Sequence, residues 1–239
     1  MEQAEYALMD AAEERMWWYR ALHARLLARL AAVRGRVLDA GCGTGGLLRR
    51  LRAARPDIAA FGVEWAQPAA ARAGAKSGAP VAAGSVTALP FADASFSAAI
   101  AADVLCHAAV DPAAALAELH RVLQPGGLLL VNMPAYAWLM SEHDRRVHNA
   151  RRQTAAQTAA MLAAAGFAQV RARYWNGLLL PLMIAQRKLR RSTASDVAVF
   201  PPWIDATFRA VAAFERHLPR LPAGGSVLAT AIRPADLIQ

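Results

Sequence analysis

The stretch RVLDAGCGTGG, residues 36–46, constrains this chain more than any other. Val37 and Leu38 favour a strand, Asp39 closes it, and Gly41, Gly43 and Gly45 follow at alternate positions. Such a backbone can take positive φ and come close to a ligand. Leu47, Leu48 and Leu51 then begin a helical stripe. The expected unit is a buried strand, a glycine turn and a helix, with a nucleotide-type site at the carboxyl end of the strand.

The next strand sharpens that expectation. The apolar run at residues 58–63 ends in Glu64, and a carboxylate about 20 residues beyond the glycine turn of a βαβ unit reaches ribose hydroxyls. That much fits a nicotinamide dinucleotide or S-adenosylmethionine equally. Further strands are expected at residues 81–83, 97–103 and 128–132, with helices between them, the alternation of a parallel sheet covered on both faces. The helix before the fifth strand has Asp111 as its cap, Pro112 in its first turn and a Leu116, Leu119, Leu123 stripe, and Pro125-Gly126-Gly127 ends it. Thr154 with Gln157 forms a capping box for a later helix that Gly166 closes. Sixth and seventh strands follow at 167–175 and 226–232.

Two segments lie outside this alternation. Residues 1–34 read as a helical cap, with Tyr19, Leu22, Leu26, Leu30 and Val33 on one stripe and Trp17 and Trp18 at its head. Residues 176–225 separate the last two strands by far more than the roughly 2–5 residues of a simple hairpin loop, which marks a functional insertion. It carries an apolar run at 178–185, then Arg187, Lys188, Arg190 and Arg191, and a second helix over 204–217. No linker divides the chain, so residues 1–239 are expected as a single domain: cap 1–34, core 35–175, insertion or lid 176–225, final strand and tail 226–239.

Charge and cysteine usage narrow the partners. A net charge of +9 favours anionic partners in general. The arginines come in scattered pairs rather than one tract interleaved with aromatics, which argues against nucleic acid. Cys42 and Cys106 have no metal spacing, and two cysteines with an acidic, leaderless start suit a reduced, cytoplasmic setting. No apolar run approaches the roughly 20 residues of a spanning helix. Peripheral membrane contact stays open, because the 178–191 segment suits a membrane surface, a substrate lid or plain core.

The strings LDAGCGTG, FGVEWA, GSVTALPFADASFSAAIAADVLCH and RVLQPGGLLLV, in this order, resemble the class I S-adenosylmethionine-dependent methyltransferases, in particular the type 11 branch acting on small molecules and lipids. The resemblance implies a Rossmann-like, doubly wound α/β sheet of seven strands, the last antiparallel. It implies S-adenosylmethionine as cofactor, with Gly41, Cys42, Gly43, Thr44 and Gly45 on its methionine part and Asp39 at its ammonium. Glu64 would take the ribose, Trp65 and Val86 would be further cofactor contacts, and Ser85 stands where the family often has an adenine-binding Asp. Asp103 would line the sulfonium. Tyr19 and Trp18, on the cap, would meet the substrate.

Methyl transfer to a hydroxyl needs a base, and histidine is the usual one near neutral pH. His143 and His148 in SEHDRRVHNARR are the candidates, with His107 beside the cofactor as a third. Arg151 and Arg152 would add an anion clamp. No metal site is expected. The leading expectation is O-methylation of a small or lipid-like acceptor, oligomeric state left open. The alternatives are an NAD(P)-dependent oxidoreductase and a non-catalytic scaffold docking on a membrane or complex.

Overall fold

A computed structural model describes residues 3–189 and 200–235. Its centre is one seven-stranded sheet in the order β3-β2-β1-β4-β5-β7-β6. The strands are β1 (Gly35–Ala40), β2 (Ile58–Glu64), β3 (Val81–Ala83), β4 (Phe96–Ala102), β5 (Leu123–Pro134), β6 (Ala168–Trp175) and β7 (Ser226–Ile232). β1 to β5 run parallel, and β7 is antiparallel to both β5 and β6. β6 therefore points the same way as β5. Its end at Trp175 lies on the same sheet edge as the carboxyl ends of the parallel strands.

The helices are α1 (Gln3–Ala12), α2 (Trp17–Arg29), α3 (Gly46–Ala54), α4 (Gln67–Ser77), α5 (Pro112–Val122), α6 (Glu142–Arg146), α7 (Ala155–Ala164), α8 (Leu180–Leu189) and α9 (Pro202–Glu215). Central strands buried on both faces make near-continuous apolar runs, as a sheet covered on two sides requires. One core cluster joins Leu38, Phe96, Leu116, Leu119 and Leu129, and the other joins Leu26, Leu48, Leu51, Ile100 and Leu130. Strand order reverses between β1 and β4, which is where an open α/β sheet leaves a crevice for ligands.

Several sequence expectations are corrected. The cap is two helices broken at residues 13–16, because Glu13 turns to Thr44 and Lys76 while the Trp17 backbone N–H donates to Asp205 Oδ1 at 2.6 Å. Leu30 is buried just past the end of α2, and Val33 also lies outside the helix. Leu123 and the Pro125-Gly126-Gly127 turn belong to β5, with Gly126 N–H donating to the Arg233 carbonyl at 2.9 Å. The second insertion helix runs over Pro202–Glu215, two residues earlier than expected. Asp111 does cap α5, and Thr154 with Gln157 closes a capping box on α7.

Candidate active site

Elements from both ends of the chain enclose a cavity of about 750 Å³ along this sheet edge. Gly41 and Gly43 form its floor. Gly41 sits at φ +83°, and a Cβ there would meet Val104 Cγ2 at 2.4 Å, so only glycine lets β1 pass this close to the end of β4. Gly43, at φ +55°, donates its N–H to Glu64 Oε2 at 3.0 Å. The other carboxylate oxygen of Glu64 accepts from Ala66 N–H at 3.0 Å and from the Tyr6 hydroxyl at 2.8 Å. α1 thus lies across the crevice. It is fastened by ion pairs of Asp10 with Arg72 and Lys76 and of Glu13 with Lys76.

The electrostatics of this end suit a cation. Asp39 is 2 % exposed, and burial, then the Glu13 and Glu64 carboxylates, raise its pKa from 3.8 to about 7. Burial likewise raises Asp103 to about 7, against the opposing effects of an Asn132 hydrogen bond and Arg152. Asn132 Nδ2 lies 2.9 Å from both Asp103 oxygens, and its own oxygen accepts from Trp175 Nε1 at 2.9 Å. Burial and neighbouring carboxylates push the Cys42 thiol and the Tyr19 hydroxyl upward, so both stay protonated.

Most of the expected cofactor residues border the cavity: Asp39, Gly41, Cys42, Gly43, Glu64, Trp65, Ser85, Val86 and Asp103. Thr44 and Gly45 do not. The Thr44 hydroxyl donates to Glu13 Oε1 at 2.7 Å, and a Cβ on Gly45 would meet the Ala73 backbone at 2.7 Å, so these residues fasten α1 and α4 instead. Ser85 Oγ is 2.7 Å from Thr87 Oγ1 and accepts from Thr87 N–H at 3.1 Å. Trp65 stands at the rim, 78 % exposed.

On the acceptor side, Trp18, Tyr19, His107, His143 and His148 border the cavity as expected. Burial holds the His107 pKa below its ordinary value. His148 takes φ +57°, and its carbonyl accepts from Ala108 N–H at 2.8 Å, which ties the histidine loop to the end of β4. The arginine pair departs from the expected clamp. Arg152 is buried against Asp144, with guanidinium–carboxylate contacts of 2.8 to 3.1 Å, and donates to the Ala135 carbonyl at 3.1 Å. Burial works to raise the Asp144 pKa, but Arg152 with Asn149 and Ser141 holds it below the ordinary value. Arg151 donates to the His107 and Val110 carbonyls at 2.6 and 3.1 Å. Asp144 is therefore ion-paired with Arg152. Cys106 is buried, its thiol 3.1 Å from Asn149 Oδ1.

Sequence reasoning missed the contributions of Tyr6 and Met9 on α1 and of Glu13 just past its end, because this stretch reads as surface helix until its contacts are known. It singled out no individual residue of the far wall, although a lid over residues 176–225 is among its expectations. Leu179, Leu182, Met183, Phe200 and Phe208 of the insertion line the cavity, so its apolar run turns partly inward. Arg190 and Arg191 lie outside the described residues, as do the side chains of Arg187 and Lys188. Among the described residues no group of three or more His, Cys, Asp or Glu could hold a metal ion, and no helix is long and apolar enough to cross a membrane.

This arrangement, a seven-stranded α/β sheet with a carboxylate at the end of β2 and an acid-lined crevice at the strand-order reversal, is the fold of the class I methyltransferases. Residues 38–131 match the family model of the type 11 methyltransferase domain. The chain is 32% identical over 133 residues to 24-methylenesterol C-methyltransferase 2 of Oryza sativa subsp. japonica, covering 49% of this chain and 35% of that protein. It thus spans about a third of that curated relative. A S-adenosylmethionine-dependent methyltransferase of Thermotoga maritima superposes with a TM-score of 0.63 at 19% identity, covering 96% of this chain and 95% of the other. Phosphoethanolamine N-methyltransferase 2 of Haemonchus contortus, in complex with S-adenosyl-L-methionine, gives 0.61 at 16% identity, covering 89% of this chain and 52% of the other. Residues 38–131 thus match a methyltransferase domain, in a fold shared with solved S-adenosylmethionine-dependent methyltransferases. That sets the nicotinamide reading aside. The residues fit S-adenosylmethionine, because the crowded carboxylates around Asp39 and Glu64 are relieved by a cationic ligand.

Proposed function

We propose that this protein methylates an uncharged, lipophilic acceptor, by O-methylation of a hydroxyl. The observation that carries the acceptor class is the cavity's charge. Although the chain is +9, the described charged residues bordering the cavity are Glu5, Glu13, Asp39, Glu64, Asp103 and Asp144, with Arg152 the one guanidinium. That guanidinium is bound to Asp144, so nothing described there favours a phosphate or carboxylate. The insertion adds an apolar wall, and likeness to a sterol C-methyltransferase supports an apolar acceptor.

When bound, S-adenosylmethionine supplies a methyl group already activated on a sulfonium, so alignment and exclusion of water do most of the work. Asp39 and Glu64 would hold the ammonium and ribose, with Ser85 and Val86 along the adenine. α1 and the insertion cover the cavity and limit water. His148 would take the acceptor's proton, with His143 and His107 beside it in the same wall.

The test is methyl transfer from labelled S-adenosylmethionine into extract of the source cells, split into organic-soluble, polar small-molecule and macromolecular fractions. A discrete organic-soluble product is expected. Label confined to the polar or macromolecular fractions would refute the lipophilic acceptor, and no transfer despite proven cofactor binding would favour a non-catalytic scaffold.

A further inference from the structure

Among the residues that border the cavity, two buried polar atoms have no hydrogen-bond partner: Nε1 of Trp17 and Oδ1 of Asn176. Both residues border the cavity and are more than nine-tenths buried, at 8 % and 5 % exposure. Leaving such atoms unpaired costs stability, and native interiors rarely do so without a reason.

Both side chains are held in place. The Trp17 ring meets Phe208 edge-on, centroids 5.6 Å apart, while its backbone N–H is fixed to Asp205. Asn176 follows β6 at φ +59°. Its backbone N–H donates to Glu215 Oε1 at 2.6 Å, and the other Glu215 oxygen accepts from Gly177 and Leu178 N–H at 2.7 and 3.1 Å. Arg25 anchors Glu215 in turn, at 2.8 Å. Two held, unpaired groups of opposite hydrogen-bonding sense thus border one cavity.

That pairing selects a chemical class. An indole N–H can only donate and an amide oxygen can only accept. A hydroxyl satisfies both, because its oxygen accepts and its proton donates. An ether or ketone satisfies only Trp17, and an ammonium only Asn176. A carboxylate also fails Asn176 and would enter a cavity already rich in carboxylates. We propose that Trp17 and Asn176 recognise a hydroxyl of the acceptor, an uncharged lipophilic alcohol or phenol whose apolar body lies on Leu179, Met183, Phe200 and Phe208. This deepens the methyltransferase reading above and rests on it.

The probes are 1-octanol, octyl methyl ether and octanoate, titrated calorimetrically into the full chain with and without saturating S-adenosylhomocysteine. Octanol should bind at least about tenfold more tightly than either analogue, since a site built for a hydroxyl rejects ligands lacking one. Trp17→Phe keeps an aromatic ring against Phe208, and Asn176→Gly suits the positive φ. Asn176→Gly should bring octanol to within about threefold of the ether, and Trp17→Phe should weaken alcohol and ether alike while the alcohol keeps its preference, both leaving S-adenosylhomocysteine affinity unchanged. Equal binding of alcohol and ether by the wild type, or no octanol binding up to its solubility, overturns the proposal whether or not the variants fold. So does a preference that survives in folded Asn176→Gly, or one that is lost in folded Trp17→Phe. Cofactor binding without alcohol preference refutes this corner alone. Alcohol preference in a chain that does not bind S-adenosylhomocysteine refutes the methyltransferase reading and leaves the hydroxyl corner standing.

Discussion

Asp39→Asn should stabilise the cofactor-free protein at alkaline pH while weakening its cofactor site. Asp39 is buried beside Glu13 and Glu64, and its pKa rises from 3.8 to about 7 on folding. Between those values the folded chain holds a proton that the unfolded chain has released. Stability therefore falls as pH rises through this window and levels off above about 7. At about 1.4 kcal/mol per pH unit of separation, the carboxylate costs the folded state about 2 kcal/mol at pH 5 and about 4 kcal/mol at pH 8. Asparagine keeps the shape and carries no titrating proton. The stability difference between variant and wild type should grow by about 2 to 3 kcal/mol from pH 5 to pH 8, or roughly 5–10 °C in melting temperature for a chain of this size. Differential scanning calorimetry of both proteins at pH 5, 6, 7 and 8, without cofactor, reads this directly. Melting temperatures that differ by the same amount at every pH would refute the argument. Because an ammonium on Asp39 favours its charged form, wild-type affinity for S-adenosylhomocysteine should rise from pH 5 to pH 7, and this contribution to the rise should vanish in the variant.

Glu64→Ala should weaken S-adenosylhomocysteine binding by roughly 10- to 100-fold, as expected for losing charge-assisted hydrogen bonds, with the melt still cooperative; unchanged affinity by calorimetry removes the ribose assignment. Arg152→Leu leaves the Asp144 charge buried and unpaired, so chemical denaturation should show a loss of about 3–5 kcal/mol. A stable Arg152→Leu protein with impaired substrate binding would instead restore the anion clamp. His148→Gln should cut turnover with little change in cofactor affinity, by roughly 10²- to 10⁴-fold for loss of a general base. Wild-type turnover would return His148 to a structural role in its loop.

Local chemistry made most of the sheet legible. The expected boundaries of β3 and β7 coincide with the structure, and β2 differs by one residue, because apolar runs ended by a glycine, a carboxylate or a capping pair are set by neighbours along the chain. β5 was truncated in expectation because its early residues are held by Arg233, a partner more than a hundred residues away.

The candidate site divides along the same line. Asp39, Gly41, Gly43 and Glu64 are recoverable from sequence, since a glycine turn and a strand-end carboxylate lie within one βαβ unit. Their electrostatic state is not, because it depends on Glu13 arriving from just past the end of α1. Only the tertiary structure places Tyr6 on Glu64, 58 residues away, closes Arg152 onto Asp144, and leaves Trp17 Nε1 and Asn176 Oδ1 unpaired beside one cavity. A sequence records which groups a chain owns and how near neighbours arrange them. Which of those groups cancel one another, and which remain to meet a ligand, depends on contacts that packing alone creates.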